Sequence, residues 1–355
     1  MRRIDDLLKE IESLDVDFFL ITDPLNVQYL IGAPLLFDSN FNGAILVSQD
    51  VQILLIDFRY IEIAESAGLD IEIRNIEKSI VSEVAKISQK GIVTIEADHL
   101  TVSGFTRLKS VLGGRVEPKS GLVESLRMIK DESEIEKLKE AALIGDRVFE
   151  RIIEEIEIGV AEIEIAARLE ELLKEEGASK VSFDPIVASG PNSAIPHAGA
   201  TERAFRSGDF IKLDFGCVFG GYYSDMTRTV TLGKASERQK EIYDLVGVAQ
   251  AATLDGIKEG ISGREADAMA RDVFKKEDKA EHFGHNLGHG VGLQVHEKPT
   301  LGARSEDHLK AGQVFTVEPG LYFSGYGGVR IEDVVLLKED GIEVLTHSSK
   351  ELIEI

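Results

Sequence analysis

Short apolar runs alternate with amphipathic stretches along the first third of the chain. The runs are rich in Ile, Leu, Val and Phe, which is typical of buried strands. They predict strands over residues 17–22, 44–48, 51–57, 71–76 and 92–96. Apolar residues with helical spacing predict helices over residues 59–67, 80–89 and 102–111. Two adjoining runs separated by Gln49-Asp50 predict a hairpin. This alternation favours an α/β domain, a mixed sheet with helices packed on it.

The pattern changes near residues 122–130, where we expect the boundary between two domains. Asp131 followed by Glu134 is typical of a capped helix start, and the helical pattern runs to about residue 157. We therefore divide the chain into residues 1–125 and 126–355. Within the second domain, residues 156–164 resemble residues 257–265, and each copy lies between two helical patterns. This weak repeat predicts two related halves.

Composition limits the class of protein. A chain of 355 residues suits two domains, and its net charge of -23 argues against nucleic acid or an anionic membrane as a partner. No apolar run approaches the roughly 20 residues that span a bilayer, and the start lacks the apolar segment of a signal peptide. The single cysteine, Cys217, excludes an intrachain disulfide, and we expect it in a hydrophobic core. We expect a cytoplasmic protein.

Two acidic residues interrupt an otherwise strand-like segment, residues 210–231. Asp214 and Asp225 lie symmetrically about a turn at residues 219–221, so a regular hairpin would place them directly opposite each other. Two like charges in that arrangement destabilise a hairpin, and a divalent cation between them would reverse the effect.

A second segment, residues 314–335, repeats this feature. Glu318 and Glu332 lie symmetrically about Gly325 and could also face each other across a hairpin. Four buried carboxylates would not stay ionised together without a metal ion. The two segments therefore predict a metal site between two hairpins.

Four of the eight histidines lie within residues 282–296, and one of them, His289, is flanked by glycines that allow close approach. Four carboxylates and one imidazole, without a thiolate, favour Mn, Fe or Co over a structural zinc. So many oxygen ligands are best used by two ions that share bridging carboxylates.

These residues lie in segments that resemble the pita-bread metallopeptidases, which include Xaa-Pro dipeptidase (prolidase), Xaa-Pro aminopeptidase and methionine aminopeptidase. The resemblance rests on Leu213-Asp-Phe-Gly, Ser224-Asp-Met-Thr-Arg, Gly288-His-Gly-Val-Gly, Val317-Glu-Pro-Gly and Arg330-Ile-Glu-Asp. It implies an α+β protein with a C-terminal pita-bread (creatinase/aminopeptidase) domain and an N-terminal α/β creatinase-type domain.

The resemblance also implies five metal ligands. Asp225 and Glu332 would bridge two divalent ions, Asp214 would complete the shell of one ion, and His289 and Glu318 would serve the other. We expect Mn, Co or Fe in these positions, and Zn is possible.

Catalytic and substrate-binding roles follow from the same resemblance. Glu318 would accept a proton from the attacking water and pass it toward the proline nitrogen. His197 and His296 would bind the substrate and stabilise developing charge. His285 is expected either next to the metal ligands or at the pocket wall, and Arg330 is expected to hydrogen-bond a ligand carboxylate or a neighbouring group.

The N-terminal domain narrows the choice within the family, since simple methionine aminopeptidases resemble the catalytic domain alone. All five ligands are present, which disfavours a metal-free amidinohydrolase like creatinase and a non-catalytic binding protein on this fold. We expect an Xaa-Pro dipeptidase. An Xaa-Pro aminopeptidase acting on longer proline-containing peptides stays open, because both enzymes share one set of catalytic residues.

In this family a loop of the N-terminal domain closes the active site of the other subunit. The candidate here is residues 32–42, where Phe37 and Asp38 could contact the substrate and its amino terminus. We therefore expect a homodimer.

Overall fold

The computed structural model describes residues 3–14, 16–38 and 40–355. They form two compact units, of which the first ends at Arg127 and the second runs Met128–Ile355. Within these described stretches, the helices are all too short or too polar to cross a lipid bilayer.

The first unit is built on one mixed sheet. Its strands are β1 (Phe18–Ile21), β2 (Ala44–Val47), β3 (Gln52–Ile56), β4 (Glu72–Asn75), β5 (Val93–Glu96) and β6 (Val116–Lys119). Its helices are α1 (Arg3–Ser13), α2 (Pro24–Leu30), α3 (Phe58–Ser66), α4 (Ile80–Ser88), α5 (Val102–Val111) and α6 (Leu122–Met128). The strand order is β4-β3-β2-β1-β5-β6, with antiparallel pairing between β1, β2 and β3 and parallel pairing elsewhere.

The five predicted strands and three predicted helices of this unit are confirmed to within about two residues at each end. The hairpin is confirmed as well, because Val47 pairs with Gln52 across Gln49-Asp50. The pattern did not predict α2, α6 or β6. β6 is a poor pattern match since only Val116 is buried and Pro118 interrupts it.

The second unit combines four helices with several small sheets. Its helices are α7 (Glu132–Ile152), α8 (Glu162–Glu175), α9 (Glu237–Gly256) and α10 (Gly263–Lys276). Its strands are β7 (Lys180–Val181), β8 (Ile186–Ser189), β9 (Phe210–Phe215), β10 (Cys217–Phe219), β11 (Tyr222–Tyr223), β12 (Met226–Thr231), β13 (Gly288–Gly290), β14 (Glu297–Leu301), β15 (Val314–Val317), β16 (Gly320–Phe323), β17 (Gly327–Arg330), β18 (Asp333–Lys338) and β19 (Gly341–Val344). The sheet orders are β11-β10-β7, β12-β9-β8, β14-β13-β15-β18-β19 and β16-β17.

The predicted division into two halves is visible in the order of these elements. A helix pair, α7 and α8, precedes β7–β12, and a second pair, α9 and α10, precedes β13–β19. Each half has its own apolar core, with Leu169, Phe215 and the predicted core residue Cys217 in the first, and Phe274 and Phe315 in the second. The halves meet where Thr227 of β12 forms an antiparallel bridge with Glu332.

The first helix of this unit begins as the sequence predicts. The Asp131 carboxylate accepts the backbone N–H of Glu134, and the Glu134 carboxylate accepts the N–H of Asp131. This capping box satisfies two donors that a helix start otherwise leaves unpaired. The helix ends at Ile152 and tightens into a 3-10 turn over Ile153–Glu155, slightly earlier than predicted.

Candidate active site

The first acidic hairpin has a different register from the predicted one. Asp214 pairs with Thr227, so the expectation that it lies directly opposite Asp225 is wrong. The turn is Gly220-Gly221, with φ values of 56° and 89°, and its centre therefore falls one residue later than expected. Moving the centre of a hairpin by one residue moves every partner by two.

The corrected register still keeps both carboxylates on one face. Asp225 lies two residues before Thr227, which makes it the diagonal neighbour of Asp214 across the strands. The same register places Asp225 opposite Gly216, where an added Cβ would lie 1.9 Å from the carbonyl oxygen of Ser224. Glycine is required there, because any side chain would push the two strands apart.

The second acidic hairpin has the predicted register. Gly320 pairs with Arg330, and Val317 pairs with Asp333. Both pairs are centred on Gly325, as predicted, and the two glutamates lie between them. Glu318 and Glu332 consequently stand opposite each other.

Their backbone N–H groups, however, bond to other elements. The N–H of Glu318 donates to Leu287 O at 2.9 Å, and the N–H of Glu332 donates to Thr227 O at 3.1 Å. The second bond ties the two acidic hairpins together.

This arrangement gathers the predicted ligands around a common point. Asp225, His289 and Glu332 each offer one ligand atom, and these three atoms lie within 4.8 Å of one another. His289 Nε2 is 3.6 Å from Asp225 Oδ2 and 3.5 Å from Glu318 Oε1. Asp225 and Glu332 are only 4% and 2% exposed, and Asp214 is also buried.

Two threonines hold the glutamates in place. Thr227 Oγ1 donates to Glu332 Oε2 at 2.6 Å, and Thr316 Oγ1 donates to Glu318 Oε1 at 3.3 Å. Thr316 Oγ1 also accepts the backbone N–H of His289 at 3.1 Å, which links two elements of the cluster. Sequence reasoning missed both residues, although each lies two positions from an acidic residue on a strand and hence on the same face.

Arg330 is the positive charge next to the acidic cluster. Its guanidinium contacts the Asp214 carboxylate, and its Nε donates to Thr227 Oγ1 at 2.9 Å. The remaining nitrogen, Nη1, donates to Tyr322 OH at 2.9 Å and to Pro196 O at 3.2 Å. Arg330 therefore contacts Asp214, one of the carboxylates predicted as ligands, and Tyr322 is a buried neighbour that the sequence did not reveal.

The electrostatics of the cluster favour a bound cation. Burial raises the pKa values of Asp225 and Glu318 well above their usual range, and the neighbouring Glu332 raises them further. Burial, followed by the charge of Asp214, raises the pKa of Glu332 to about 7. Burial also lowers the pKa of His289 to about 4, which keeps its imidazole neutral and able to ligate.

One buried carboxylate oxygen of the cluster, Asp225 Oδ1, lacks a hydrogen-bond donor in the described part of the chain, although the atom is shielded from solvent. Leaving a buried acceptor unpaired costs roughly 1–3 kcal/mol, more when it is charged. A divalent cation would satisfy this oxygen and neutralise the surrounding carboxylates, so the donor set fits a metal centre.

The remaining predicted histidines surround this cluster. The ring of His296 lies 4.2 Å from that of His289, measured between centroids. Burial lowers the pKa of His296, and the nearby His197 lowers it further. His285 Nε2 is 2.8 Å from Tyr322 OH, and its Nδ1 is 3.9 Å from Glu318 Oε2. His197 and His296 are exposed, whereas His285 is half-buried.

Comparison with known proteins places the chain in a family. A family model described as metallopeptidase family M24 matches residues 136–339, and the creatinase/prolidase N-terminal domain matches residues 3–129. The chain therefore belongs to metallopeptidase family M24. The predicted fold, a pita-bread domain preceded by a creatinase-type domain, is confirmed, and the protein is a metallopeptidase.

Individual relatives are similar over nearly the whole chain. An Xaa-Pro dipeptidase of Pyrococcus furiosus is 35% identical over 351 residues, covering 99% of each chain. The solved structure of an Xaa-Pro dipeptidase from Bacillus anthracis is 42% identical, with a TM-score of 0.95 and 99% of each chain covered. The structure of an X-Pro aminopeptidase from Thermotoga maritima is 36% identical, with a TM-score of 0.87, covering 97% of this chain and 99% of that one.

Proposed function

We propose that this protein hydrolyses the bond before proline as an Xaa-Pro dipeptidase, using two divalent metal ions. The observation that carries the proposal is the buried cluster of carboxylates around His289, with one orphaned oxygen on Asp225. The extensive similarity to two Xaa-Pro dipeptidases supports the choice of substrate.

Five residues would hold the ions, namely Asp214, Asp225, His289, Glu318 and Glu332. Their oxygen-rich set suits Mn, Co or Fe, and Zn would also be accepted. When bound, such ions polarise a carbonyl and lower the pKa of water toward neutrality. Asp225 and Glu332 would be shared by both ions.

Glu318 is the proposed general base. It would take one proton from the attacking water as the oxygen bonds to the scissile carbonyl carbon. When the carbon–nitrogen bond breaks, the same carboxyl would deliver that proton to the proline nitrogen.

The surrounding side chains would bind and orient the peptide. His197 and His296 are exposed beside the cluster and would donate to substrate carbonyl oxygens as negative charge develops there. His285 would support the wall through its contact with Tyr322. Arg330 would keep the Asp214 carboxylate in place.

An Xaa-Pro aminopeptidase is the second candidate, supported by the similarity to the Thermotoga maritima enzyme. The two activities differ in what the pocket accepts beyond proline. A dipeptidase needs the free carboxylate of proline, whereas an aminopeptidase accepts a further residue there.

Hydrolysis of Met-Pro and of Met-Pro-Gly by the manganese-loaded protein separates these candidates. We expect Met-Pro to be cleaved and Met-Pro-Gly to be cleaved at least about tenfold more slowly, a difference of roughly 1.4 kcal/mol in the barrier. Preferential cleavage of the tripeptide would instead establish the aminopeptidase.

We also propose a cytoplasmic homodimer in which residues 32–42 of one subunit close the site of the other. Phe37 is buried against Phe41, with the ring centroids 4.2 Å apart, so it shapes the loop and, contrary to the expectation, is not exposed to contact a substrate. Asp38 is exposed and accepts from Tyr60 OH at 2.6 Å, which supports a loop that presents an ionised Asp38. The hydrogen bond from Tyr60 lowers the pKa of Asp38. Ser39 of this loop lies outside the described residues. Full activity of a monomer at assay concentration would rule out this arrangement, and cell fractionation tests the location.

A further inference from the structure

Lys212 is a fully buried lysine that none of the roles above uses. It lies on β9, where it pairs with Ala188 of β8 and Thr229 of β12 at the centre of a three-stranded sheet. Its relative exposure is 0%. An ammonium group is rarely placed in such surroundings, because burial removes its hydration.

Backbone carbonyls replace that hydration. Lys212 Nζ donates to Ile195 O at 2.7 Å, to Pro196 O at 3.0 Å and to Ser193 O at 3.4 Å. These three oxygens surround Nζ and take the place of water as its hydrogen-bond acceptors. The lysine therefore gathers one short segment of backbone rather than pairing with a single anion.

That segment needs donors from elsewhere. It ends the 3-10 helix Gly190–Ala194, and the last carbonyls of a helix have no partner within the helix. Pro196 cannot continue the turn because it lacks an N–H. Arg330 Nη1 adds a second donor to Pro196 O at 3.2 Å. The next residue along the chain is His197.

We propose that Lys212 is a positioning residue that holds Ser193, Ile195 and Pro196 by their carbonyl oxygens and thereby aims His197 at the substrate. The contacts alone support the claim that Lys212 holds the segment. The claim that this affects catalysis rests on the proposed function.

Lys212 Nζ also lies 5.3 Å from the centre of the Tyr322 ring, and Asp214 lies two residues further along the same strand. Metal content is therefore measured beside activity, to separate an effect through His197 from an effect on the metal site.

Hydrogen exchange tests the first part without any assay of activity. In the metal-loaded Lys212→Met variant, which keeps the length and apolar stem of the side chain, amides of residues 193–195, which lie in or directly after the 3-10 helix, are expected to exchange roughly tenfold faster than in the unmodified protein. Amides of β14 should be unchanged. The control is Lys180→Met, which removes an exposed lysine whose Nζ donates to Tyr223 OH and should leave residues 193–195 protected.

Kinetics tests the second part by a double-mutant cycle on Met-Pro. Lys212→Met should lower kcat/KM by about tenfold alone and in a His296→Ala background, but by less than about twofold in a His197→Ala background. A purely structural role would lower all three equally. The metal content should match that of the unmodified protein throughout.

The outcomes are separable. Unchanged exchange of residues 193–195, or a full additional loss in the His197→Ala background, overturns the role of Lys212. If Lys212→Met does not fold, Lys212→Leu, which also has no donor, is measured in the same way, and unchanged exchange there overturns it equally. Absence of Xaa-Pro cleavage by the unmodified protein would refute the proposed function, while exchange would still decide whether Lys212 holds the segment.

Discussion

Replacing Glu318 with glutamine is expected to leave the protein folded and to lower kcat for Met-Pro by about a hundredfold to ten-thousandfold, the range that a general base contributes. The substitution keeps the shape of the side chain and an oxygen that can accept from Thr316, which now donates to Glu318 Oε1. It removes the carboxylate that would accept a proton from water.

Metal content measured with activity separates the two roles assigned to Glu318. Two ions with lost turnover indicate a base, whereas loss of an ion as well indicates that the carboxylate is mainly a ligand. The matched control is Glu343→Gln on β19 of the same sheet, where the carboxylate pairs with Lys139 and Lys338 and should not affect kcat. Near-normal turnover of the Glu318 variant would remove it as the base.

Replacing Asp225 with asparagine is expected to abolish binding of both metal ions, with activity falling to background. Asp225 is the proposed bridge, and its Oδ1 is the buried oxygen without a donor. A neutral amide cannot balance the charge of two cations. The substitution also removes one of several carboxylates that repel one another, so the metal-free variant should melt no lower than the metal-free parent protein.

The measurement is metal stoichiometry by mass spectrometry after dialysis, together with the melting temperature. Asp146→Asn is the control, since Asp146 is a buried carboxylate that accepts the N–H groups of His347 and Ser348 outside the cluster. That variant should lose stability and retain two ions. A count of two ions in the Asp225 variant would contradict its bridging role.

Much of the fold could be predicted from local patterns. Alternating apolar runs and caps are properties of short segments, and they led to the strands of the first unit and to the start of α7 at Asp131. The register of the first acidic hairpin could not be obtained from symmetry alone. It depends on which two residues form the turn, and Gly220-Gly221 could have been recognised as a pair that tolerates positive φ.

The residues of the candidate site could be predicted from the sequence, but the hydrogen bonds that connect them could not. The candidate metal ligands could be identified because they are acidic residues within strand-like segments, where a buried charge is costly without a partner. The tie between the halves, from Thr227 to Glu332, joins segments far apart in sequence and left no local pattern. The contacts of Lys212 with residues 193–196 are hidden for the same reason, since backbone carbonyls carry no sequence signature.

Metal-dependent, proline-specific hydrolysis is tested most directly with Met-Pro and Met-Ala, offered to chelator-stripped protein before and after manganese is restored. We expect no cleavage without metal, and cleavage of Met-Pro well above that of Met-Ala once metal is bound. Failure of manganese, cobalt and iron alike to produce cleavage of Met-Pro, or equal cleavage of both dipeptides, would contradict the proposed function.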